Sequence, residues 1–324
     1  MRGIIHSPVV TQHHFANFEV FASALGGYDI DVKQIDCGSF KAFTQQIQCG
    51  AVFINRFTLS RRIEINGNPP TDLRTFGIPT ENCQPFIWRG QPSDGNTIQI
   101  YKPSTELELI THPEFEAIDV SIPENDFNAL NSQWGLPDLD EIIGVREMAT
   151  CDPAVMHRLR KTLRHICQVV DSYPDELNQN TNLQNLVKNE VPYLLAQALL
   201  SSEVFSTKAT PYKRSQVLVK ALEYIQSTTD QVVSIGRFCK QTGIHERTLQ
   251  RAFLDTYGTT PKSYMRAFRL NNAYKALLHG DPDTTTVTNV ATNMGYCHMS
   301  QFATDYRRLF GELPSKTLRM NQEG

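Results

Sequence analysis

The chain has 324 residues, of which 40% are hydrophobic and 20% are charged, and its formal net charge is −3. This length allows two domains of ordinary size, each with its own core. Apolar runs stay well short of the roughly 20 residues that span a bilayer, and the N-terminus has no compact apolar stretch of the signal-peptide type. We therefore expect a cytosolic protein that does not contact a membrane.

The seven cysteines are scattered, and no two of them have Cys-x-x-Cys spacing. An odd number without such pairs argues against a disulfide framework and against a zinc site. We expect reduced thiols, as is usual in the cytosol.

Residues up to about 125 have the alternation and the β-branched or aromatic clusters of strands at 51–65, 97–101, 107–111 and 116–122. Segments rich in Gly and Pro at 66–70, 77–79 and 91–95 are typical of the turns between them. Short strands at this spacing predict an antiparallel sandwich or barrel.

Helical patterns follow the strands. Residues 123–126 are typical of a helix start, residues 153–170 carry apolar side chains at helical spacing, and residues 183–200 form a second run that Pro192 is expected to kink or split. The Ser- and Thr-rich segment 201–211 predicts a linker. Residues 1–200 are therefore expected to form a first domain, which senses an effector or dimerises.

Residues 212–324 are helical throughout and form the predicted second domain. A helix is expected at 217–226, and two short helix pairs are separated by a long helix from 261 to about 278. From 211 onward there are fifteen Lys and Arg against nine Asp and Glu, whereas the rest of the chain has sixteen against twenty-five. A basic module joined to an acidic one is expected when only one half meets phosphate.

The two helix pairs are an internal repeat. Residues 235–253 align with 287–306 at an offset of 52 through Gly243 and Gly295, and at 53 beyond the turn, where Leu249 pairs with Phe302. In each copy a Gly can take the left-handed conformation that ends the first helix and sets a sharp crossing. The repeat predicts helix-turn-helix units at about 235–256 and 287–309. The alternative is a pair of helical hairpins in an all-α domain.

This region resembles the DNA-binding domain of AraC/XylS-type regulators. The resemblance rests on the segments 247–253, 269–273 with Tyr264, and 307–311 with Pro314 and Ser315. It implies a seven-helix domain whose two recognition helices enter successive major grooves of double-stranded DNA, about 34 Å apart.

The outer side of each second helix supplies the candidate DNA contacts. Arg and Gln can read guanine and adenine by paired hydrogen bonds, whereas apolar side chains contact the thymine methyl group. The expected base-contacting residues are Arg247, Thr248, Gln250, Arg251, Met299, Ser300, Ala303 and Thr304. Arg307 and Arg308 are expected along the phosphates, which gives affinity without sequence information. His245 stands where the family usually has Ser or Thr at the helix N-cap, which predicts a weak cap.

A second resemblance concerns segments 76–79, 301–306 and 314–318, which are similar to the subgroup that regulates ethanolamine-utilisation operons. It implies ethanolamine together with adenosylcobalamin as effectors. Independently, a sandwich or barrel of this size can hold one small ligand. The candidate effector contacts are Phe76, Phe86, Trp88 and Arg89, and the alternative is that the aromatic residues only form the core.

Two other interpretations stay open. The strand region could be a cupin-like metal enzyme with a DNA-binding tail, but it holds no His-x-His or His-x-x-x-His pair to bind a metal. Alternatively, the N-terminal half could only dimerise or bind a protein, with helices 153–170 and 183–200 supplying a core or a subunit seam.

The sequence thus predicts an α+β chain, with an N-terminal, mainly β sandwich or barrel with appended helices and a C-terminal all-α domain with two helix-turn-helix units. We find no catalytic constellation and no metal ligand set. The expected function is that of an effector-responsive transcription activator. It would act as a homodimer and recruit RNA polymerase.

Overall fold

The structure is a computed structural model that describes residues 8–102, 105–202, 216–227, 235–281 and 283–323. Its strands are β1 (Val9–Phe15), β2 (Asp29–Gln34), β3 (Ala42–Cys49), β4 (Val52–Leu59), β5 (Ile63–Asn68), β6 (Arg74–Pro79), β7 (Phe86–Trp88), β8 (Gln91–Ser93), β9 (Thr97–Tyr101), β10 (Leu107–Ile110), β11 (Phe115–Ile122) and β12 (Met148–Thr150).

The helices of the first half are α1 (Phe18–Ala24), α2 (Glu124–Gln133), α3 (Leu139–Ile143), α4 (Pro153–Ser172), α5 (Glu176–Gln179), α6 (Thr181–Asn185) and α7 (Val191–Ser201). Those of the second half are α8 (Gln216–Ser227), α9 (Ile235–Thr242), α10 (Glu246–Tyr257), α11 (Pro261–His279), α12 (Val287–Asn293), α13 (Met299–Phe310) and α14 (Pro314–Glu323). None of the helices in the described ranges has the length and apolar character needed to cross a membrane.

The strands form two antiparallel sheets. The larger has the order β1-β3-β4-β11-β6-β9-β12, and the smaller has the order β2-β5-β10-β7-β8. One face of the larger sheet is covered by α2, α3, α4 and α7, and its other face packs against the smaller sheet. The predicted fold class is confirmed. The central strands β6 and β9 are buried along their whole length, because both faces of the sheet are covered.

Two predicted turns are wrong. Residues 77–79 lie within β6 and residues 91–93 form β8. Gly77 is closely approached in the strand, because a β-carbon there would lie 3.0 Å from Gln99 Oε1 and 3.3 Å from a ring carbon of Tyr101. Glycine inside a strand commonly marks such a close approach. The segment 66–70 is only partly a turn, since β5 continues to Asn68.

The predicted helices of the first domain are confirmed. The expected kink at Pro192 takes the form of a π-helical turn at Leu186–Glu190, after which Pro192 stands in the first turn of α7. The apolar stripes of α4 and α7 point into the core, where Leu163, Ile166 and Leu195 are fully buried. These stripes form core rather than a subunit seam. The predicted linker at 201–211 lies almost wholly outside the described residues, so the domain boundaries stay predictions.

Candidate nucleic-acid interface

The second half contains two helix-turn-helix units at the predicted places. In the first, α9 and α10 are joined by three residues, and in the second, α12 and α13 are joined by five. Gly243 and Gly295 have φ values of 70° and 75°, the left-handed conformation that the repeat predicts. The Gly243 N–H donates to the carbonyl of Cys239 at 2.9 Å, which closes the end of α9. In the second unit the Gly295 N–H donates instead to the carbonyl of Thr292 at 2.9 Å, and the Tyr296 N–H donates to the carbonyl of Ala291 at 3.0 Å. Both units therefore end their first helix at a left-handed glycine, but with different hydrogen bonds.

The second helix of each unit has one buried side. Leu249 and Phe253 of α10 are buried with Phe238 of α9, and Phe302 and Tyr306 of α13 are fully buried. Since these residues recur at four-residue spacing, they fix which side of each helix faces outward. The opposite side is open to solvent.

The outer side of α10 carries all four predicted contacts of the first unit, and each is exposed: Arg247, Thr248, Gln250 and Arg251. The Arg251 side chain is 84% exposed, and its Nε lies 3.6 Å from Asp255 Oδ2, so the guanidinium is held along the helix but stays accessible. Gln250 Nε2 donates to Glu246 Oε1 at 3.1 Å, which presents the amide at the surface. Base contact by these residues stays a prediction.

The outer side of α13 is less polar. Ser300 and Thr304 are exposed, whereas Met299 and Ala303 are half-buried. The Thr304 hydroxyl donates to the carbonyl of Ser300 at 2.8 Å, so it offers a ligand acceptor lone pairs rather than a free hydrogen. The second helix is thus suited to apolar and positioning contacts more than to hydrogen-bonded base selection.

Arg307 and Arg308 stand exposed in the last turn of α13. Two further arginines on α11 lie near the second unit: Arg266 Nη1 is 3.6 Å from Asp305 Oδ1, and the Arg269 guanidinium lies 5.3 Å from the ring centre of Tyr296. These two hold α11 against the second unit. The phosphate role of Arg307 and Arg308 stays a prediction.

Both second helices begin without a side-chain cap. His245 and His298 occupy the N-cap positions, and neither makes a side-chain hydrogen bond to the first turn. By contrast, Thr260 and Thr286 cap α11 and α12 through their hydroxyl oxygens.

The β-domain contacts both helix-turn-helix units, which the sequence did not reveal. The buried Glu64 of β5 accepts hydrogen bonds from Tyr264 at 2.8 Å and from Tyr257 at 3.4 Å. Arg62 donates to the carbonyl of Tyr257 at 2.8 Å, at the end of α10. Burial raises the pKa of Tyr264 well above its usual range, and the Glu64 charge adds to this, so the tyrosine stays a donor.

The end of the second unit is held in the same way. Gln34 and Asn271 exchange two hydrogen bonds of 2.9 Å between backbone and side chain, and Gln34 Nε2 donates to the carbonyl of Leu309 at 2.6 Å. The Gly38 N–H also donates to Leu309, at 2.9 Å. Because Tyr257 and Leu309 stand near the ends of α10 and α13, one domain fixes the ends of both second helices.

The four predicted effector contacts do not come together. Phe76 faces the helices and packs against Phe127, whereas Phe86 and Trp88 are buried between the sheets. Arg89 pairs with Glu147 at 2.8 Å and lines a groove between the domains. These residues line no common cavity, and their role in effector binding stays untested. In the described part of the chain, no three His, Cys, Asp or Glu side chains are grouped so that they could hold a metal ion.

A helix-turn-helix domain family matches residues 238–320. The chain is 33% identical over 99 residues to a probable thc operon regulatory protein of Rhodococcus erythropolis, which covers 31% of this chain and 30% of the relative. It is 29% identical over 186 residues to XylDLEGF operon transcriptional activator 3 of Pseudomonas putida, which covers 52% of this chain and 54% of the relative. The chain thus spans between about a third and a half of the length of these curated relatives.

Among solved structures, the chain is similar to a probable AraC family transcriptional regulator from Rhodopseudomonas palustris, at 34% identity and a TM-score of 0.30, covering 33% of this chain and 98% of that one. The family match covers the region where the structure places its two helix-turn-helix units. These matches confirm the predicted resemblance of the C-terminal region to the DNA-binding domain of AraC/XylS-type transcription regulators.

Proposed function

We propose that the protein is a sequence-specific DNA-binding transcription regulator, which reads two successive major grooves with α10 and α13. The observation that carries the proposal is that two helix-turn-helix units each leave the outer side of their second helix open to solvent. The 19-residue helix α11 separates the units. A helix of this length spans about 28 Å, which is comparable to one turn of duplex.

The names of the relatives indicate whether transcription is activated or repressed. Two of the curated relatives are named as transcriptional activators, and activation is accordingly the mode that we propose here. The protein would act in the cytoplasm at the nucleoid, respond to a small-molecule effector, bind as a homodimer and recruit RNA polymerase. The contact between the β-domain and both second helices supports effector control, because a change in the first domain can alter the relative placement of the two units.

The test is selection of duplexes from a random library by the full chain. We expect two recognised segments whose centres are separated by one helical turn, with stronger base preference in the segment read by α10. The matched control is the same chain with Arg247, Gln250 and Arg251 all replaced by alanine. We expect the control to lose preference in one segment and to keep it in the other. Equal enrichment of all sequences by the unaltered chain would contradict the proposal.

A further inference from the structure

A polar cavity lies between helix α4 and the face of the larger sheet that the helices cover. Its volume is about 330 Å³, which falls in the range of about 300–1,000 Å³ that is usual for small-ligand pockets. Its lining residues come from β4, from β6 and the turn that follows it, from β11 and from α4. The cavity therefore belongs to the first half of the chain, and it is separate from the groove between the domains.

Helix α4 presents two arginines to this cavity. Arg160 and Arg164 are four residues apart, so their side chains leave the same face of the helix. Arg56 of β4 lines the cavity from the sheet, but its guanidinium is already paired with Glu116 at 2.8 Å and with Asp171 at 3.1 Å. The two arginines of α4 are therefore the cations that a ligand can engage.

Arg160 is a buried cation that the described part of the chain only partly satisfies. The residue is 7% exposed, and its Nε donates to the carbonyl of Pro79 at 3.0 Å. Its Nη2 is buried and has no hydrogen-bond partner among the described residues. Burial lowers the pKa of Arg160; the charge of Glu81 opposes this effect and the charge of Arg164 adds to it. Because a buried guanidinium is costly unless an anion pairs with it, this position favours an anionic ligand.

Arg164 is held loosely beside it. The side chain is half-exposed, and its Nη2 lies 4.0 Å from Glu81 Oε2. Glu81 also faces His157, whose Nδ1 lies 3.4 Å from Oε1. A charge-assisted hydrogen bond between a guanidinium and an anion is about 2.7–2.9 Å long, so the contact with Glu81 is much weaker than one that a ligand can make. Arg164 can therefore turn to a ligand at little cost.

Two guanidinium groups on one helix face suit a phosphoryl group. A guanidinium binds phosphate or carboxylate through paired hydrogen bonds. A phosphate ester has three acceptor oxygens, so it can bind one arginine by two of them and reach a second arginine with the third. A carboxylate has no third oxygen, and a cation would meet two like charges.

The rest of the wall suits a hydroxylated carbon body. Thr80 and Asn82 in the turn after β6, together with Gln168 on α4, bring a hydroxyl and two amide groups to the cavity. These groups both donate and accept hydrogen bonds, as the hydroxyl groups of a polyol do. The buried Ile78 and Ile118 add an apolar patch for the carbon chain.

We propose that this cavity binds a small phosphorylated metabolite of the sugar-phosphate class, with its phosphoryl group between Arg160 and Arg164. The inference goes beyond the proposed function. It stands on the cavity and on these two arginines, whether or not the chain reads DNA.

The test is calorimetric titration of the full chain with glucose 6-phosphate and with glycerol 3-phosphate, in a buffer without phosphate. Glucose and glycerol are the neutral counterparts, and gluconate is the carboxylate counterpart. We expect both phosphate esters to bind and inorganic phosphate to compete with them. The counterparts should bind at least about tenfold more weakly, because they lack the charge-assisted bonds to both arginines.

Two variants assign the binding to the arginines. Arg164→Gln changes a half-exposed side chain, so the fold should persist, and glucose 6-phosphate should bind about tenfold more weakly or worse. Arg160→Gln removes a buried charge, and it should weaken binding by at least about 30-fold. Thermal unfolding of both variants accompanies the titration, because Arg160 also holds Pro79. Should Arg160→Gln fail to fold, Arg164→Gln decides.

The matched control is Arg158→Gln, which removes the same charge from the same helix. Arg158 is exposed, pairs with Glu190 at 3.9 Å and does not line the cavity. Its affinity for glucose 6-phosphate should match that of the unaltered chain. An equal loss in Arg158→Gln, unchanged binding in Arg164→Gln, equal binding of gluconate, or no binding of either ester would overturn the inference. These results leave DNA selection intact, whereas loss of DNA selection with intact ester binding would overturn the proposed function and keep the site.

Discussion

Arg251 is predicted to contact a base, whereas Arg308 is predicted to contact the phosphates. Arg251→Ala should cost about 1–3 kcal/mol at the best site and relax the preference at one base pair. Arg308→Ala should weaken binding to all sequences, and the slope of log affinity against log salt should become about 0.9 shallower. Footprinting and salt titration check the two expectations. Arg158→Ala, an exposed arginine on α4, is the control for loss of charge alone.

Unchanged operator selection by Arg251→Ala would contradict the assignment of base reading to α10. An effect of Arg308→Ala confined to one sequence would contradict its assignment to phosphate. Both side chains are exposed, so neither result can be attributed to a collapsed core.

Asp119 predicts how stability changes with pH. Its folded-state pKa of about 8 lies above the unfolded value of about 3.9. Between these values the unfolded chain has lost the proton and the folded chain has kept it, so stability falls as pH rises, by up to about 1.4 kcal/mol per pH unit, and levels off above pH 8. Urea unfolding at pH 5, 7 and 9 measures this, and Asp119→Asn should remove this contribution. A difference between variant and unaltered chain that does not grow from pH 5 to pH 7 would contradict it.

The burial of Asp119 was not predictable from the sequence. Residues 116–122 were recognised as a strand, and alternation with Ile118 and Val120 suggests that Asp119 faces water. In the structure a second sheet covers that face. The residue opposite Asp119 on the neighbouring strand β4 is set by the register of the two strands. That register depends on contacts between residues more than sixty positions apart.

At the scale of single helices, the sequence was informative because end signals are local. Gly243, Gly295 and Pro261 stand where the structure begins or ends helices. The strands β1, β2 and β3 went unrecognised, and so did the three-residue strands β7, β8 and β12. The first set is rich in polar residues, some of them buried as Thr44 and Gln45 of β3 are, so its apolar alternation is weak. The last set is too short for alternation to be distinct.

The cap of α10 gives a prediction at this scale. His245 makes no side-chain bond to the first turn, so His245→Ser should stabilise the protein by about 1 kcal/mol. Thr260→Ala is the opposite control, because Thr260 Oγ1 accepts from the Ser263 N–H at 3.2 Å, and its loss should destabilise by a similar amount. Thermal unfolding of both variants measures the effect. If serine at 245 leaves the midpoint where it was, the cap interpretation fails.

For the whole molecule, the glycines that follow helices α9 and α13 distinguish local strain from contact between domains. Gly311 has a φ of 76°, and a β-carbon there would lie 3.0 Å from the backbone nitrogen of Ser39 in the β-domain. Gly243 has a φ of 70°, and a β-carbon there would meet nothing within 4 Å. Gly243→Ala should therefore cost only the left-handed backbone, about 1–2 kcal/mol.

Gly311→Ala should cost more than this, and it should also open the contact between the domains. Hydrogen exchange at the Gly38 amide, which donates to Leu309, reports that contact directly. We expect faster exchange in Gly311→Ala and an unchanged rate in Gly243→Ala at equal distance from the unfolding midpoint. Equal exchange in the two variants would show that the second helix is not held through this contact.

The aromatic cluster of Phe18, Tyr274 and Phe310 belongs to neither half alone. Separating the two halves would expose apolar surface on each piece. A truncated DNA-binding fragment is therefore expected to aggregate or to self-associate through that surface. The two halves of this chain therefore share one aromatic core, and a rearrangement of either half would have to repack the rings of the other.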